Sequence, residues 1–206
     1  MIRFYKTPIF TRLWYSSFIW KIPSSNAIYL SFDDGPHPDV TPWVLRELKK
    51  ANAKATFFCV GKNLIQHNDI AKQIIAEGHQ IGNHTHNHMS GWNVNQMEYH
   101  EDVIQCDKTL HSLGVHNEIF RPPYGRIKQS QAKGLSNKKI IMWSHLSWDF
   151  DPQLTVDKSI RKLKNAKAGS ILAFHDSEKA FKNLKLILPE ILSHFQSKGL
   201  KFEAIS

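Results

Sequence analysis

The sequence predicts an α/β fold that is built on a parallel β-sheet, and two observations lead to that prediction. Short apolar runs rich in β-branched and aromatic residues recur about seven times after Pro23, and segments with helical spacing of apolar residues separate most of them. Strands that alternate with helices in this way form parallel sheets. About seven such units fit a closed barrel or an open doubly wound sheet, and in both folds the functional site lies past the carboxyl ends of the strands.

Each predicted strand is an apolar run bounded by turn-forming residues. The seven strands cover residues 27–32, 55–60, 80–82, 118–120, 139–143, 170–174 and 200–203. Thr41 and Pro42 are predicted as the N-cap and the first residue of the helix that follows the first strand. Glycines mark the expected ends of four later helices, as is typical of helix carboxyl ends; they are Gly78, Gly114, Gly169 and Gly199.

The composition excludes several classes of protein. The chain has 206 residues, of which 41% are hydrophobic and 22% are charged, so a disordered, collagen-like or low-complexity chain is excluded. Cys59 and Cys106 are too few for a disulfide scaffold, and both are expected to be buried thiols because they lie in apolar segments. A chain of this length can bury a full hydrophobic core in one domain.

The net charge of +9 comes from 27 Lys+Arg against 18 Asp+Glu. Such a charge permits binding to nucleic acid, to an anionic membrane or to an anionic polymer. The lysines, however, are spread along helical segments without a nucleic-acid recognition motif, which favours solvated helix faces. Nucleic acid is therefore not an expected partner.

Residues 1–23 are expected to be an N-terminal basic and aromatic segment, and residues 24–206 the main domain. No apolar stretch approaches the ~20 residues of a membrane span, Arg12 interrupts the apolar run, and no small-residue cleavage site precedes Pro23. A signal peptide is therefore not expected. The segment either contacts a membrane interface or packs on the surface of the domain, and the second is slightly favoured. The compartment stays open between the cytoplasm and the cell envelope.

Two adjacent carboxylates, Asp33 and Asp34, follow the first predicted strand and precede Gly35 and Pro36. Carboxylates at the end of a buried strand are costly unless they bind something. A turn in which aspartates bond to their own backbone is the alternative, and it explains one aspartate more easily than two.

His84 and His88 follow the third predicted strand and are four residues apart. On a helical turn this spacing places both side chains on one face, as a pair of metal ligands requires, whereas His86 points elsewhere. A structural role would be the usual explanation for one histidine alone. Two at this spacing favour a metal site, completed by a carboxylate from Asp33 or Asp34 and open at one position, as in catalytic zinc sites.

Three further strand ends carry residues that suit catalysis. Arg121 begins a stretch with two prolines, a rigid turn that could present the guanidinium and a backbone N–H, or that is merely a stiff loop. Asp149 lies among aromatic residues that suit either a sugar ring or a core, and His175 is a candidate general acid or base. Five such strand ends on one face of a sheet are difficult to explain by chance.

The sequence resembles the polysaccharide deacetylases of the NodB-homology type, carbohydrate esterase family 4. The resemblance rests on SFDDGP at residues 31–36, HTHNH at 84–88 and RPPYG at 121–125, and it extends from about Ala27 to the carboxyl terminus. It implies a distorted (β/α) barrel of about seven parallel strands. It also implies a metal-dependent N-deacetylase that removes acetyl groups from N-acetylglucosamine-containing poly- or oligosaccharides of the peptidoglycan or chitin type.

The resemblance further implies a ligand set and a cofactor. Asp34, His84 and His88 would hold a divalent metal ion, with Zn²⁺ expected and Co²⁺ able to replace it. A carbohydrate substrate is the expected partner, and the protein is expected to be a monomer.

The catalytic groups are implied by the same resemblance. Asp33 would be the general base that takes a proton from the metal-activated water, and Arg121 would pair with it. The backbone N–H of Tyr124 would stabilise the oxyanion. His175, oriented by Asp149, would be the general acid that protonates the departing sugar nitrogen.

Three positions depart from the family pattern. Phe150 stands where a tryptophan is usual, Leu146 where an aspartate often occurs, and Ala173 where a leucine lines the pocket for the acetyl methyl group. These departures leave the acyl group and the substrate open, but not the metal site.

Two other functions remain compatible with the sequence. The same site could act on another small amide or on an O-acetyl ester. The other alternative is a metal-containing carbohydrate-binding protein without turnover. It predicts loss of the base or the acid, whereas both Asp33 and His175 are present.

Overall fold

The computed structural model describes residues 3–24, 26–116 and 118–206. Over these residues a parallel sheet forms in the order β5-β4-β3-β2-β1-β7-β6, and β8 pairs with the amino-terminal end of β1. The seven strands of the main path make a half-barrel, which confirms the predicted α/β class and the NodB-like barrel. The strands are β1 (Ala27–Asp33), β2 (Ala55–Cys59), β3 (Gln80–Asn83), β4 (Ile119–Phe120), β5 (Lys139–Ile140), β6 (His145–Leu146), β7 (Ile171–His175) and β8 (Lys201–Phe202).

Helices cover the sheet. The longest is α8, and α5 begins with a capping box in which the side chains of Asn95 and Glu98 each bind the backbone N–H of the other residue. The helices are α1 (Ile9–Trp14), α2 (Val40–Lys50), α3 (Gly61–Gln66), α4 (Asn68–Ala76), α5 (Gln96–Ser112), α6 (Gln129–Gly134), α7 (Val156–Leu163) and α8 (Glu178–Ser197).

The central strand β1 is buried along its whole length. The ring of Phe32 stacks between Phe57 on β2 and Phe174 on β7, with ring-centre distances of 5.1 and 5.7 Å. A parallel strand that is covered on both faces is apolar throughout rather than alternating, and this is why the sequence predicts β1 and β2 well. Cys59 and Cys106 are free buried thiols, as predicted.

Two details of the predicted elements are wrong. The first helix of the domain begins at Val40 with Asp39 as its N-cap, two residues earlier than predicted. Thr41 is not the cap because its hydroxyl accepts a hydrogen bond from the His37 N–H at 2.8 Å and donates one to Asp176 at 2.5 Å.

The predicted strand over 139–143 is also shorter than expected. It ends as β5 at Ile140, and the polypeptide then forms the separate strand β6 at His145–Leu146, which was not predicted. The backbone between them changes partners: Met142 donates to the Ile19 carbonyl at 2.8 Å, and Ser144 donates to the Ile171 carbonyl at 3.0 Å. Helices α1, α3 and α6 were not predicted either, because each has only six residues.

The described part of the predicted N-terminal segment spans the open side of the half-barrel, between β5 and β6; residues 1 and 2 lie outside the described residues. Tyr5 accepts from the Leu146 N–H at 2.9 Å, and Ile19 donates to the Ile140 carbonyl at 2.9 Å. Tyr5, Phe18 and Trp20 are buried, whereas α1 between them buries none of its side chains. Within the described chain, no helix has the length and apolar character needed to cross a membrane.

Candidate active site

The polar residues singled out from the sequence converge at the carboxyl edge of the sheet. The strand register places Asp33 of β1 directly beside His175 of β7. Asn83, which precedes His84, is paired with Phe120, which precedes Arg121. Because all these strands are parallel, the residues that follow them meet at one edge.

Three of these residues form a cluster that fits a metal ion. One ligand atom each from Asp34, His84 and His88 lies within 4.8 Å of the other two. The Asp34 Oδ1 atom is 3.0 Å from Nε2 of His88 and 3.8 Å from Nε2 of His84. A carboxylate oxygen with two imidazole nitrogens is a donor set that suits zinc and its neighbours in the first transition row.

The ring of His84 is oriented for such a role by the backbone. Its Nδ1 atom is 2.7 Å from the carbonyl oxygen of Arg121, which can only accept, so Nδ1 carries the proton and Nε2 keeps its lone pair. Burial lowers the pKa of His84 to about 4. The imidazole is therefore neutral at pH 7, as a metal ligand must be.

The protonation state of Asp34 also suits a ligand. Burial by itself would raise the pKa of Asp34, but a hydrogen bond with His88 and the charge of His175 outweigh it and hold the pKa far below its usual range. The carboxylate is thus ionised. Lys179 of α8 places Nζ 3.1 Å from Asp34 Oδ2. Its role could not be predicted from the sequence, because it is one of many helical lysines.

The two histidines converge through a loop and not through a helical turn, so the predicted local structure is wrong although the predicted pair is brought together. No helix covers residues 84–88; Thr85 and His88 instead have φ values of 60° and 56°. Asp102 of α5 stabilises the loop by accepting hydrogen bonds from the backbone N–H groups of His86 and Asn87, both at 2.9 Å. His86 is buried outside the ligand cluster.

Asp33 and Arg121 form a buried ion pair. The Nη1 atom of Arg121 donates to Asp33 Oδ1 at 2.7 Å and to the Ser31 hydroxyl at 2.7 Å. Nε and Nη2 donate to the carbonyls of Ile141 and Met142 at 3.0 and 2.9 Å. A buried charge is tolerated when its partner and its hydrogen bonds are all in place, and here they fix the carboxylate in one orientation.

His175 and Asp149 form a second pair. The Asp149 carboxylate binds Nδ1 of His175 at 2.7 Å and the backbone N–H of His175 at 2.9 Å. Burial alone would lower the pKa of His175, but the charge and hydrogen bond of Asp149 and the charges of Asp34 and Asp33 raise it to about 9. The imidazole is therefore protonated at neutral pH, which is the state of a general acid.

Tyr124 lies in a short turn of 3-10 type with φ of 61°. Tyr124 is 58% exposed, and the centre of its ring is 4.7 Å from that of His88. The backbone N–H of Tyr124 has no acceptor among the residues that the structure describes. Further out, the Arg126 guanidinium lies 5.8 Å from the Tyr124 ring and 5.0 Å from the ring of exposed Trp92.

Backbone strain is concentrated at this edge. Among the described residues other than glycine, six have positive φ, and five of those are site residues or their immediate neighbours. Such conformations persist where the surrounding structure fixes them, as in preorganised sites. The five are Asp34, Thr85, His88, Tyr124 and Trp148.

A model of the polysaccharide deacetylase family matches residues 21–141, more than half of the chain. The chain belongs to the polysaccharide deacetylase family. A peptidoglycan-N-acetylglucosamine deacetylase of Bacillus cereus is 31% identical over 195 residues, which are 91% of this chain and 90% of that protein. A chitooligosaccharide deacetylase of Azorhizobium caulinodans is 34% identical over 160 residues, 74% of this chain and 75% of that protein. Other curated relatives are longer, and the chain covers 39% to 68% of them.

Solved structures of the family agree with the fold. A crystal structure of a peptidoglycan N-acetylglucosamine deacetylase in complex with 4-naphthalen-1-yl-N-oxidanyl-benzamide is similar with a TM-score of 0.87 and 32% identity. The similarity covers 97% of this chain and 95% of that chain. The predicted family, and with it the enzyme class of the polysaccharide deacetylases, is confirmed.

Two departures from the polysaccharide deacetylase pattern are neighbours in the sheet. Leu146 on β6 is the register partner of Ala173 on β7. A larger side chain thus adjoins a smaller one. The third departure, Phe150, places its ring centre 4.7 Å from that of His175 in an edge-to-face arrangement and so forms a wall beside the imidazole.

One supporting residue of the candidate active site was not found from the sequence. Asp176 is fully buried and accepts hydrogen bonds from the Gly35 N–H at 3.1 Å and the Thr41 hydroxyl at 2.5 Å. Burial raises the pKa of Asp176 to about 8. A Cβ atom on residue 35 would lie 2.0 Å from this carboxylate, so only glycine fits there. In the sequence, the position of Asp176 directly after His175 was the signal that could have identified it.

Proposed function

We propose that the chain is a metal-dependent N-deacetylase that acts on N-acetylglucosamine-containing glycans. The observation that supports this most is the convergence of three potential metal ligands with two proton-carrying pairs, Asp33 with Arg121 and His175 with Asp149. A carbohydrate-binding protein without turnover would need neither pair.

The ligand cluster of Asp34, His84 and His88 would hold the ion. A divalent ion bound there supplies Lewis-acid polarisation of the substrate carbonyl and acidifies a water molecule. Asp34 contributes an ionised oxygen, and His84 contributes Nε2, held towards the cluster by the Arg121 carbonyl.

The chain's own groups move the protons of the hydrolysis. Asp33 takes a proton from the attacking water on its carboxylate, while Arg121 binds Oδ1 and keeps the group in place. The N–H of Tyr124 donates to the carbonyl oxygen as that oxygen gains negative charge. His175 gives the proton on Nε2 to the sugar nitrogen, the C–N bond breaks, and acetate and a free amine leave.

A glycan chain would lie along a row of rings that leads from the half-buried His88 to two exposed aromatic side chains. The row runs from His88 to Tyr124 and, past the Arg126 guanidinium, to Trp92. Exposed aromatic side chains supply large and rigid contact area at low entropic cost. The apolar faces of sugar rings would pack on these side chains.

The proposed substrate class is peptidoglycan-type glycan. Relatives named as peptidoglycan-N-acetylglucosamine deacetylases, at 31% and 35% identity, support it. Chitooligosaccharide is the second candidate, supported by the relative from Azorhizobium caulinodans at 34% identity.

Acetate release after chelation and addition of zinc or cobalt tests the proposal. The panel contains peptidoglycan fragments, chitooligosaccharides, an acetylated xylan and a simple acetamide. We expect metal-dependent release from an N-acetylglucosamine glycan and little from xylan or acetamide. Equal acetate release from xylan would instead favour an O-acetyl esterase. No acetate release from any substrate, with the metal stoichiometrically bound, would favour a binding protein.

A further inference from the structure

Helix α1 presents an apolar face to solvent. Ile9, Phe10, Leu13 and Trp14 are 68% to 73% exposed, and Phe4, which precedes the helix in the sequence, is 57% exposed. At 3.6 residues per turn the four helical side chains cover about 140° of the circumference and form one stripe. A cluster of exposed apolar side chains marks an interaction surface, whereas a single exposed apolar side chain does not.

The stripe is held firmly and does not belong to a loose end of the fold. Before the helix, Thr7 donates to the Ser144 carbonyl at 3.0 Å from its N–H and to the Trp143 carbonyl at 2.7 Å from its hydroxyl. After the helix, the buried side chains of Phe18 and Trp20 pack in the core. The fold therefore fixes both flanks of α1 and leaves the helix itself outside.

A basic cleft of about 480 Å³ borders the same helix. Among the described residues that line it there is no aspartate or glutamate, and the cations are Arg3, Lys6, Arg12, Lys21, Lys162 and Lys167. Arg3 is neutralised by Asp151 at 2.6 Å. Over the described residues, the other five form no ion pair within 4.0 Å. Arg12 belongs to α1 itself, so the charged and the apolar surfaces are continuous.

We propose that α1 and the adjoining basic cleft dock the protein on an anionic lipid surface. The apolar stripe enters the boundary between headgroups and acyl chains, and the five unpaired cations face lipid phosphates. Neither set of side chains is used in the core or in the candidate active site. The pairing of an apolar stripe with unpaired cations beside it is what a peripheral membrane contact requires.

Two other occupants fit the surface less well. A second copy of this chain that covered α1 would bring its own unpaired cations against the first set, and like charges at an interface are costly. Nucleic acid would use the cations but leave the four apolar side chains of α1 in water.

Vesicle flotation with the full chain tests the proposal. Vesicles of phosphatidylcholine alone are compared with vesicles that contain phosphatidylglycerol. We expect at least tenfold stronger partitioning to the anionic vesicles. The double variant Leu13→Gln, Trp14→Gln should lose most of it, and Lys162→Gln with Lys167→Gln should weaken it about fivefold for each lysine removed.

Matched control variants distinguish binding through this surface from nonspecific binding to vesicles. Ile65→Gln with Leu186→Gln removes exposed apolar side chains elsewhere, and Lys72→Gln with Lys108→Gln removes exposed charge elsewhere. Both control pairs should partition as the unchanged protein does. Equal losses in controls and test variants, equal binding to both vesicle types, or no vesicle binding would overturn the proposal, as would an α1-dependent dimer or binding to duplex DNA alone.

Hydrogen exchange on the unchanged protein removes any dependence on variant folding. Anionic vesicles should slow amide exchange in residues 9–14 and leave the region of exposed Trp92 and Met97 unchanged. Protection at 91–97 with none at 9–14 would place the contact elsewhere and refute the assignment.

Discussion

The candidate active site and the N-terminal surface differ in whether their charged groups are paired. At the site, Arg121 and Asp149 are fully buried and each is bound to its partner at 2.7 Å. On the surface around α1, five cations are unpaired among the described residues and border an exposed apolar stripe.

The difference separates two tasks. Buried pairs with complete hydrogen bonding hold groups in one geometry, as a preorganised site requires. Exposed unpaired groups contribute little to the stability of the fold, so they are available to contact a partner. Substitutions in one region should therefore leave the function of the other intact.

The largest effect is expected at Asp33. Asp33→Asn removes the proton acceptor while preserving shape, so turnover should fall roughly 10²–10⁴-fold with the metal content unchanged. Acetate release and metal analysis of the same sample check this. Asp69→Asn, at an exposed position of α4, is the matched control. Normal turnover in Asp33→Asn would remove Asp33 as the base.

Metal binding should depend on one buried histidine and not on its neighbour. His84→Ala should weaken zinc affinity by more than about 100-fold, because it removes a ligand and not merely a supporting group. His86→Ala should retain the ion, since His86 lies outside the cluster. Titration with a chelating indicator distinguishes the two, and unchanged zinc stoichiometry in His84→Ala would refute the ligand assignment.

The buried ion pair and the exposed cations should differ sharply in stability. Arg121→Leu leaves Asp33 buried without its partner, so the free energy of unfolding should fall by about 3–5 kcal/mol. Lys167→Gln should change it by less than about 0.5 kcal/mol. Urea denaturation measures both free energies of unfolding. Similar small losses in the two variants would show that the Arg121 ion pair does not stabilise the fold.

The alkaline limb of the pH profile of kcat/KM should depend on Asp149. The pKa of His175 is raised to about 9, above the ordinary 6.5, so a protonated acid persists at neutral pH and is lost as the pH rises through about 9. Asp149→Asn removes the charge that raises this pKa, so the alkaline limb of kcat/KM should move to lower pH. A limb that stays in place would mean that another group sets it.

The smallest effect on chemistry is expected from the N-terminal surface. Leu13→Gln with Trp14→Gln changes only exposed side chains, so acetate release from a soluble oligosaccharide should stay within about twofold and stability within about 0.5 kcal/mol. A collapse of activity in this variant would show that the two regions are coupled.

The sequence predicted the parts of the molecule that follow local rules. The apolar run of β1 and the two carboxylates after it predicted both a strand and its polar end, and the structure places them so. The spacing of His84 and His88 predicted that the two side chains lie together, and the structure brings them together, but through a loop and not through the expected helical turn. Their approach depends on left-handed residues and on Asp102, which is distant in sequence.

Other features depended on distant partners and could not be predicted. Strand β6 has two residues and forms because β7 and the N-terminal segment lie on either side of it. Asp176 resembles any polar residue at a turn until Gly35 and Thr41 are seen to surround it. The exposure of the α1 side chains likewise could not be predicted, because an apolar sequence alone does not show which side chains a neighbouring strand will cover.

The closure of the half-barrel by its N-terminal segment has a consequence for the order of folding during synthesis. Thr7 binds a carbonyl 136 positions later, and Arg3 binds a carboxylate 148 positions later. The ribosome therefore releases the closing segment first and its partners much later. Until Leu146 has emerged, Tyr5 lacks its backbone partner, and the cluster that buries Phe18 and Trp20 includes residues as late as Met142. A nascent chain arrested before that point would expose these side chains to aggregation or to a chaperone.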